Sequence, residues 1–113
     1  MNKKYCLTLK LKDDPDLIRQ YEEHHEKVWP EVISSIKESG VLDMEIYRLG
    51  TSLCMVMEVN EAFSFEKKAE QDKRNETVQR WEELMWKYQE PLAEAAQGEK
   101  WMLMNKIFDL NHY

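Results

Sequence analysis

The stretch Tyr5-Cys-Leu-Thr-Leu-Lys-Leu-Lys-Asp-Asp-Pro-Asp16 decides how the chain begins to fold. Tyr5, Leu7, Leu9 and Leu11 alternate with Cys6, Thr8, Lys10 and Lys12. A period of two puts the first set on one side of a strand and makes that side strongly apolar. The run then changes character. Asp14 can cap a helix, Pro15 suits its first position, and Asp16 favours the positive end of the helix dipole. A strand with one buried face, leading into a capped helix, is the opening of a sheet covered by helices.

Working outward, Leu17, Tyr21, His25, Val28, Val32 and Ile36 recur every three or four residues and form one helical stripe. Pro30 interrupts it by removing a donor and moving Trp29 out of helical geometry, which predicts a kink or two helices with Pro30 opening the second. Ser39-Gly40 ends the element. Strands are expected at Val41–Leu49 and Leu53–Val59 around a turn at Gly50-Thr51-Ser52. Helices follow at Phe63–Arg74 and Asn75–Glu90, the second burying Val78, Trp81, Leu84, Met85 and Tyr88 and stopping at Pro91. A final strand is read from Trp101 to Leu110. The order β-α-β-β-α-α-β predicts an α+β, ferredoxin-like fold: a four-stranded antiparallel sheet with helices on one face. Leu53–Val59 and the last strand are apolar on both sides, so the uncovered sheet face expects a partner, most economically a second copy of the chain.

Composition narrows the function. The chain has 113 residues and a formal charge of −6 with no basic block, so one domain over 1–113 is expected and nucleic acid and anionic membranes are unlikely partners. No apolar run is long enough to span a bilayer and no signal-peptide core is visible, which makes a cytoplasmic protein the default. Cys6 and Cys54 read as two buried thiols rather than a disulfide. Glycine loops for phosphate, nucleophile elbows and Cys–His signatures are absent, which removes most hydrolase, kinase and dinucleotide-binding readings. Glu22, Glu23, His24, His25 and Glu26 are rich in potential ligands, but adjacent side chains diverge around a helix, so no metal site is expected.

Two of the three histidines, His24 and His25, are adjacent. Only an imidazole titrates near neutrality unaided, so acid–base chemistry would be sought here. His25 shares a helix face with Tyr21, while His24 points about a hundred degrees away. A core histidine satisfied by a hydrogen bond is the plain alternative. Trp29 and Trp81 add flat apolar walls of the kind that hold sugar rings.

The run Tyr21-x-x-x-His25-x-x-x-Trp29-Pro30-Glu31 resembles the first-helix motif of the L-rhamnose mutarotase family. The resemblance continues through Gly40, Ile46-Tyr47, Gln79-Arg80-Trp81 and Ile107-Phe108-x-Leu110. It implies a dimeric α+β barrel that interconverts the α and β anomers of a 6-deoxy-hexose without a cofactor. His25 would be the proton donor, with Tyr21 and Trp81 on the sugar and Trp29, Met44, Tyr47 and Glu82 around it. Two departures concern the pocket: rhamnose enzymes of the family often carry a Trp-Trp pair where this chain has Trp81-Glu82, and a tyrosine where it has Met44. L-fucose is therefore an alternative substrate. His25 is expected to act as the acid to the ring oxygen, and the base at O1 is left open between Tyr21, a carboxylate such as Glu82 and a bound water. A sugar-binding domain without catalysis, or a monooxygenase of similar build, are the other classes considered.

Overall fold

The computed structural model describes residues 2–113. Strand β1 spans Lys3–Leu11, helix α1 Pro15–Glu26, α2 Pro30–Glu38, β2 Val41–Leu49, β3 Ser52–Val59, α3 Phe65–Arg74, α4 Glu76–Trp86, β4 Gln89–Glu90 and β5 Met102–Leu103. The sheet is antiparallel in the order β2-β3-β1-β4, and β5 also pairs with β1. This is the expected ferredoxin-like α+β arrangement, with one qualification at the edge. Two strands of two residues share the fourth position: β4 lies against Lys10 and Leu11, and β5 against Leu7 and Thr8.

Local chemistry places the helices. The Asp14 carboxylate accepts from the backbone N–H groups of Asp16 and Leu17, and Pro15 sits at the first helical position. Pro30 opens α2 rather than kinking one long helix. Lys27, Val28 and Trp29 form the break, with Trp29 extended as the residue before a proline must be. Ser64 and Asn75 cap α3 and α4 with their own side chains. Gly40, at φ 102°, joins α2 to β2; a Cβ there would lie 2.7 Å from the Asn60 carboxamide oxygen, so only glycine fits.

Two expectations are corrected. Helix α4 stops at Trp86, not Glu90: the Lys87 and Tyr88 N–H groups donate to the Leu84 and Met85 carbonyls in a tighter last turn, and Gln89-Glu90 pairs with β1. The last strand is Met102–Leu103 alone. From Met104 the chain runs without a ladder to a 3-10 turn at Leu110–His112, leaving Ile107, Phe108, Leu110 and Tyr113 exposed.

The odd-numbered side chains of β1 and β3 meet the helices. One cluster joins Leu11, Tyr21, Val32, Leu53, Val78, Trp81, Met85 and Tyr88; the other joins Leu7, Val41, Met57 and Val59. The opposite sheet face has no helix. Paired strand residues share a face, so Cys6, Thr8, Cys54, Val56 and Tyr47 lie there together. The Cys6 and Cys54 sulfurs are 3.0 Å apart as free thiols, and the Met104 sulfur is 3.6 Å from Cys6. Burial and the neighbouring sulfur push the Cys6 thiol up to about 11, the Cys54 hydrogen bond being the larger cause. No helix among the described residues is long and apolar enough to cross a membrane.

Candidate active site

Helices α1 and α4 bring the expected site together over the β4 end of the sheet. Tyr21 and His25, one turn apart on α1, have ring centroids 4.4 Å apart. The His25 ring stands edge-on to Trp81 of α4 at 5.7 Å, and Trp29, released from the helix by the break before Pro30, meets the same indole at 5.2 Å. Trp81 is thus the wall that three elements share. Tyr21 and Trp81 are buried, while His25 and Trp29 are half-buried.

Hydrogen bonds fix the state of each polar group. His25 Nδ1 lies 2.8 Å from the backbone oxygen of Tyr21. A carbonyl can only accept, so Nδ1 carries the proton. Burial, with a smaller contribution from His24, lowers the His25 pKa below its ordinary 6.5, against the opposing pull of that carbonyl. The ring is therefore neutral at pH 7, and its Nε2 offers a lone pair. Burial raises the Tyr21 pKa above 10, and the Glu82 charge adds to it, so the phenol keeps its proton. Its oxygen accepts from Gln89 Nε2 at 3.4 Å.

His24 has a different employment. Its Nε2 is 3.0 Å from the Tyr88 hydroxyl, which in turn donates to Gln20 Oε1 at 3.3 Å. With the hydroxyl proton committed to Gln20, His24 is the donor, and the chain of three ties the start of β4 to α1. The adjacent histidines thus divide into one that holds the fold and one with a free nitrogen.

Other expected contacts are placed less simply. Glu82 borders the cluster, but its Oε2 accepts from the buried Lys100 ammonium at 2.8 Å, and its backbone oxygen accepts from the same group at 2.9 Å. Lys100 also lies 4.7 Å from the centre of the Trp86 ring. Met44 faces the helices but packs with Leu7, Val41, Met57 and Val59 rather than with Trp81; Ile46 is the β2 residue that reaches the Trp81 cluster. Tyr47 is not brought to His25 within one protomer: it pairs with Cys54 on the open sheet face. Gln89, Lys100 and Tyr88 were not singled out as site residues. Gln89 became visible only once α4 ended early, and Lys100 only through its reach across 18 residues to Glu82. Shallow concavities elsewhere, along α3 and between Tyr5, Asn60 and Phe63, include no member of the His25 cluster. No group of three or more potential metal ligands occurs among the described residues.

Comparison with known proteins supplies the family. A family model described as L-rhamnose mutarotase matches residues 4–110. The chain belongs to the L-rhamnose mutarotase family. The L-fucose mutarotase of Xanthomonas campestris pv. campestris is 43% identical over 108 residues, 94% of this chain and 86% of its own. The crystal structure of an L-rhamnose mutarotase from Formosa agariphila superposes with a TM-score of 0.71 at 18% identity, covering 96% of this chain and 98% of that one. A dimeric ferredoxin-like protein from an uncultured marine organism gives a TM-score of 0.52 at 15% identity over 76% of each chain. The two structures support the mutarotase family's fold.

Proposed function

We propose that the protein interconverts the α and β anomers of a 6-deoxy-hexose, with L-fucose preferred to L-rhamnose. The observation that carries this reading is His25, neutral, half-buried against Trp81, with its Nδ1–H given to a backbone carbonyl and its Nε2 left with a lone pair. Mutarotation needs a base for the anomeric O1–H and an acid for the ring oxygen. Neutral His25 takes the O1 proton as the ring C–O bond breaks. Tyr21, whose oxygen accepts from Gln89, has its own proton to give to the ring oxygen. The free aldehyde then rotates about its C–C bond. On closure the imidazolium returns its proton to O1 and the phenolate recovers one from the ring hydroxyl. This reverses the expected assignment of His25 as the acid to the ring oxygen: with its Nδ1 proton held by a backbone carbonyl, the neutral ring has a lone pair at Nε2 and no proton to give there. Nothing is oxidised and no group is transferred, so the cycle is complete in protons.

The preference for L-fucose rests on Trp81-Glu82 in place of a Trp-Trp pair and on the 43%-identical relative named for that sugar. Saturation-transfer NMR of anomer exchange across L-fucose, L-rhamnose and D-glucose tests it. L-fucose should exchange fastest and D-glucose near its uncatalysed rate. Equal acceleration of all three would discard the preference, and acceleration of none would discard the reaction.

The open sheet face and the apolar C-terminal segment support a homodimer. Cys6, Val56, Tyr47 and Met104 on that face, and the exposed Ile107 and Phe108 of the C-terminal segment, would otherwise meet water. Sedimentation should give twice the 13.6 kDa of one chain at micromolar concentration, and a single-chain mass there would reject the dimer.

A further inference from the structure

Gln89 is buried on the helix-facing side of β4, opposite Leu11, and 4% of its surface reaches solvent. One end of its amide is committed, with Nε2 donating to the Tyr21 hydroxyl at 3.4 Å. The other end, Oε1, is buried without a hydrogen-bond partner, the sole side-chain atom among the described residues in that condition. A buried polar atom left unpaired is destabilising, and native proteins keep few of them without a reason. No protein group donates to it: the Tyr21 hydroxyl accepts from Nε2, the Tyr88 hydroxyl donates to Gln20, and the Lys100 ammonium donates to Glu82.

We infer that Gln89 is a specificity-determining residue that binds the sugar, its unpaired amide end taking one ring hydroxyl of the substrate bound beside the His25, Tyr21 and Trp81 cluster. This rests on the mutarotase reading and adds to it a contact that distinguishes one hydroxyl from the rest. An amide suits the task because a hydroxyl both donates and accepts. With the amide turned end for end, Nε2 would be the end offered to the sugar, but Oε1 would then hold the Tyr21 proton that the ring oxygen needs, so the orientation with Nε2 on Tyr21 is the one that serves the reaction. A site built to hydrogen-bond a hydroxyl discriminates strongly against an analogue that lacks it, because the buried partner is then left unpaired. The position is also local to catalysis, since the same side chain hydrogen-bonds the Tyr21 phenol.

Gln89→Met keeps the length and removes both polar ends. Kinetics of anomer exchange for L-fucose and its 2-, 3- and 4-deoxy analogues, with thermal unfolding alongside, provide the test. Wild type should lose roughly tenfold or more in kcat/KM with one of the three analogues, the one lacking the Gln89 partner. Gln89→Met should lose a similar factor with L-fucose, chiefly through KM, and show no further loss with that same analogue. Its thermal midpoint should move little, because removing the unpaired amide end offsets the loss of the hydrogen bond from Nε2 to the buried Tyr21 hydroxyl. An unchanged kcat/KM, or a loss shared equally by all four sugars, would overturn the assignment, the latter reducing Gln89 to a support for Tyr21. Failure of the mutarotase reading is distinct: wild type itself would then leave every sugar at its uncatalysed rate.

Discussion

His25→Ala is expected to lower the acceleration of anomer exchange by about 10²–10⁴-fold, the contribution of one positioned general acid–base group. The fold should survive. The ring is half-buried, its one polar link is to the backbone one turn earlier, and alanine is the best helix former. The loss of stability should be about 1 kcal/mol. The pH dependence gives a second readout with a definite sign. The base form is the neutral ring, and burial lowers its pKa from 6.5. Wild-type kcat/KM should therefore be level around neutrality and fall only as pH drops through that lowered value. His25→Ala should show a low, flat profile over the same window. A variant that keeps the wild-type rate, or keeps the acidic limb, would remove His25 from the reaction.

Trp81→Ala should act on the fold before the chemistry. The indole is 6% exposed, sits in the larger core cluster and carries the edges of His25 and Trp29. Truncating a buried tryptophan to alanine typically destabilises by about 3–5 kcal/mol, against a total of roughly 5–15 kcal/mol for a domain. For a chain of this length that corresponds to a fall in Tm on the order of 15 °C. Urea titration followed by far-ultraviolet circular dichroism would measure it. Trp81→Phe, which keeps an apolar ring, should recover most of the stability while leaving the sugar wall smaller. A loss below about 1 kcal/mol in the alanine variant would show that α4 is held by something else.

These two positions also mark how far the sequence could be read. The spacing of Tyr21 and His25 settles their common face, because a helix repeats every 3.6 residues whatever surrounds it. The Asp14 cap and the break at Pro30 were equally legible, being properties of two or three neighbouring residues. Met44 and Tyr47 show a constraint that was present in the sequence and decisive. They are an odd number of positions apart, so a strand that alternates cannot place both beside His25; the ladder puts Met44 toward the helices and Tyr47 on the open face. The end of α4 was harder. Pro91 disfavours helix at Glu90 but says nothing of Lys87 or Tyr88, and a strand of two residues has no period to detect. What makes Gln89-Glu90 a strand is the free edge of β1, set by residues nearly eighty positions away. The Glu82–Lys100 pair is of the same kind, fixed by the path of the loop between β4 and β5 rather than by any local pattern.

The divided fourth position of the sheet has a bearing on what this chain does in a crowded solution. A sheet ends in two rims, and an unpaired rim invites further strands to add without limit. Here one rim is β4 and β5, each too short to template a third chain. The other is β2, whose ladder is interrupted by a register shift between Val41 and Asp43 and which carries Asp43, Glu45 and Arg48. Both rims are therefore poor seeds for fibrils, although β3 and β1 between them are among the most apolar segments of the chain. The proposed pairing of two copies through the broad face of the sheet, which closes on itself, would then face little competition from the borders, where growth would never close.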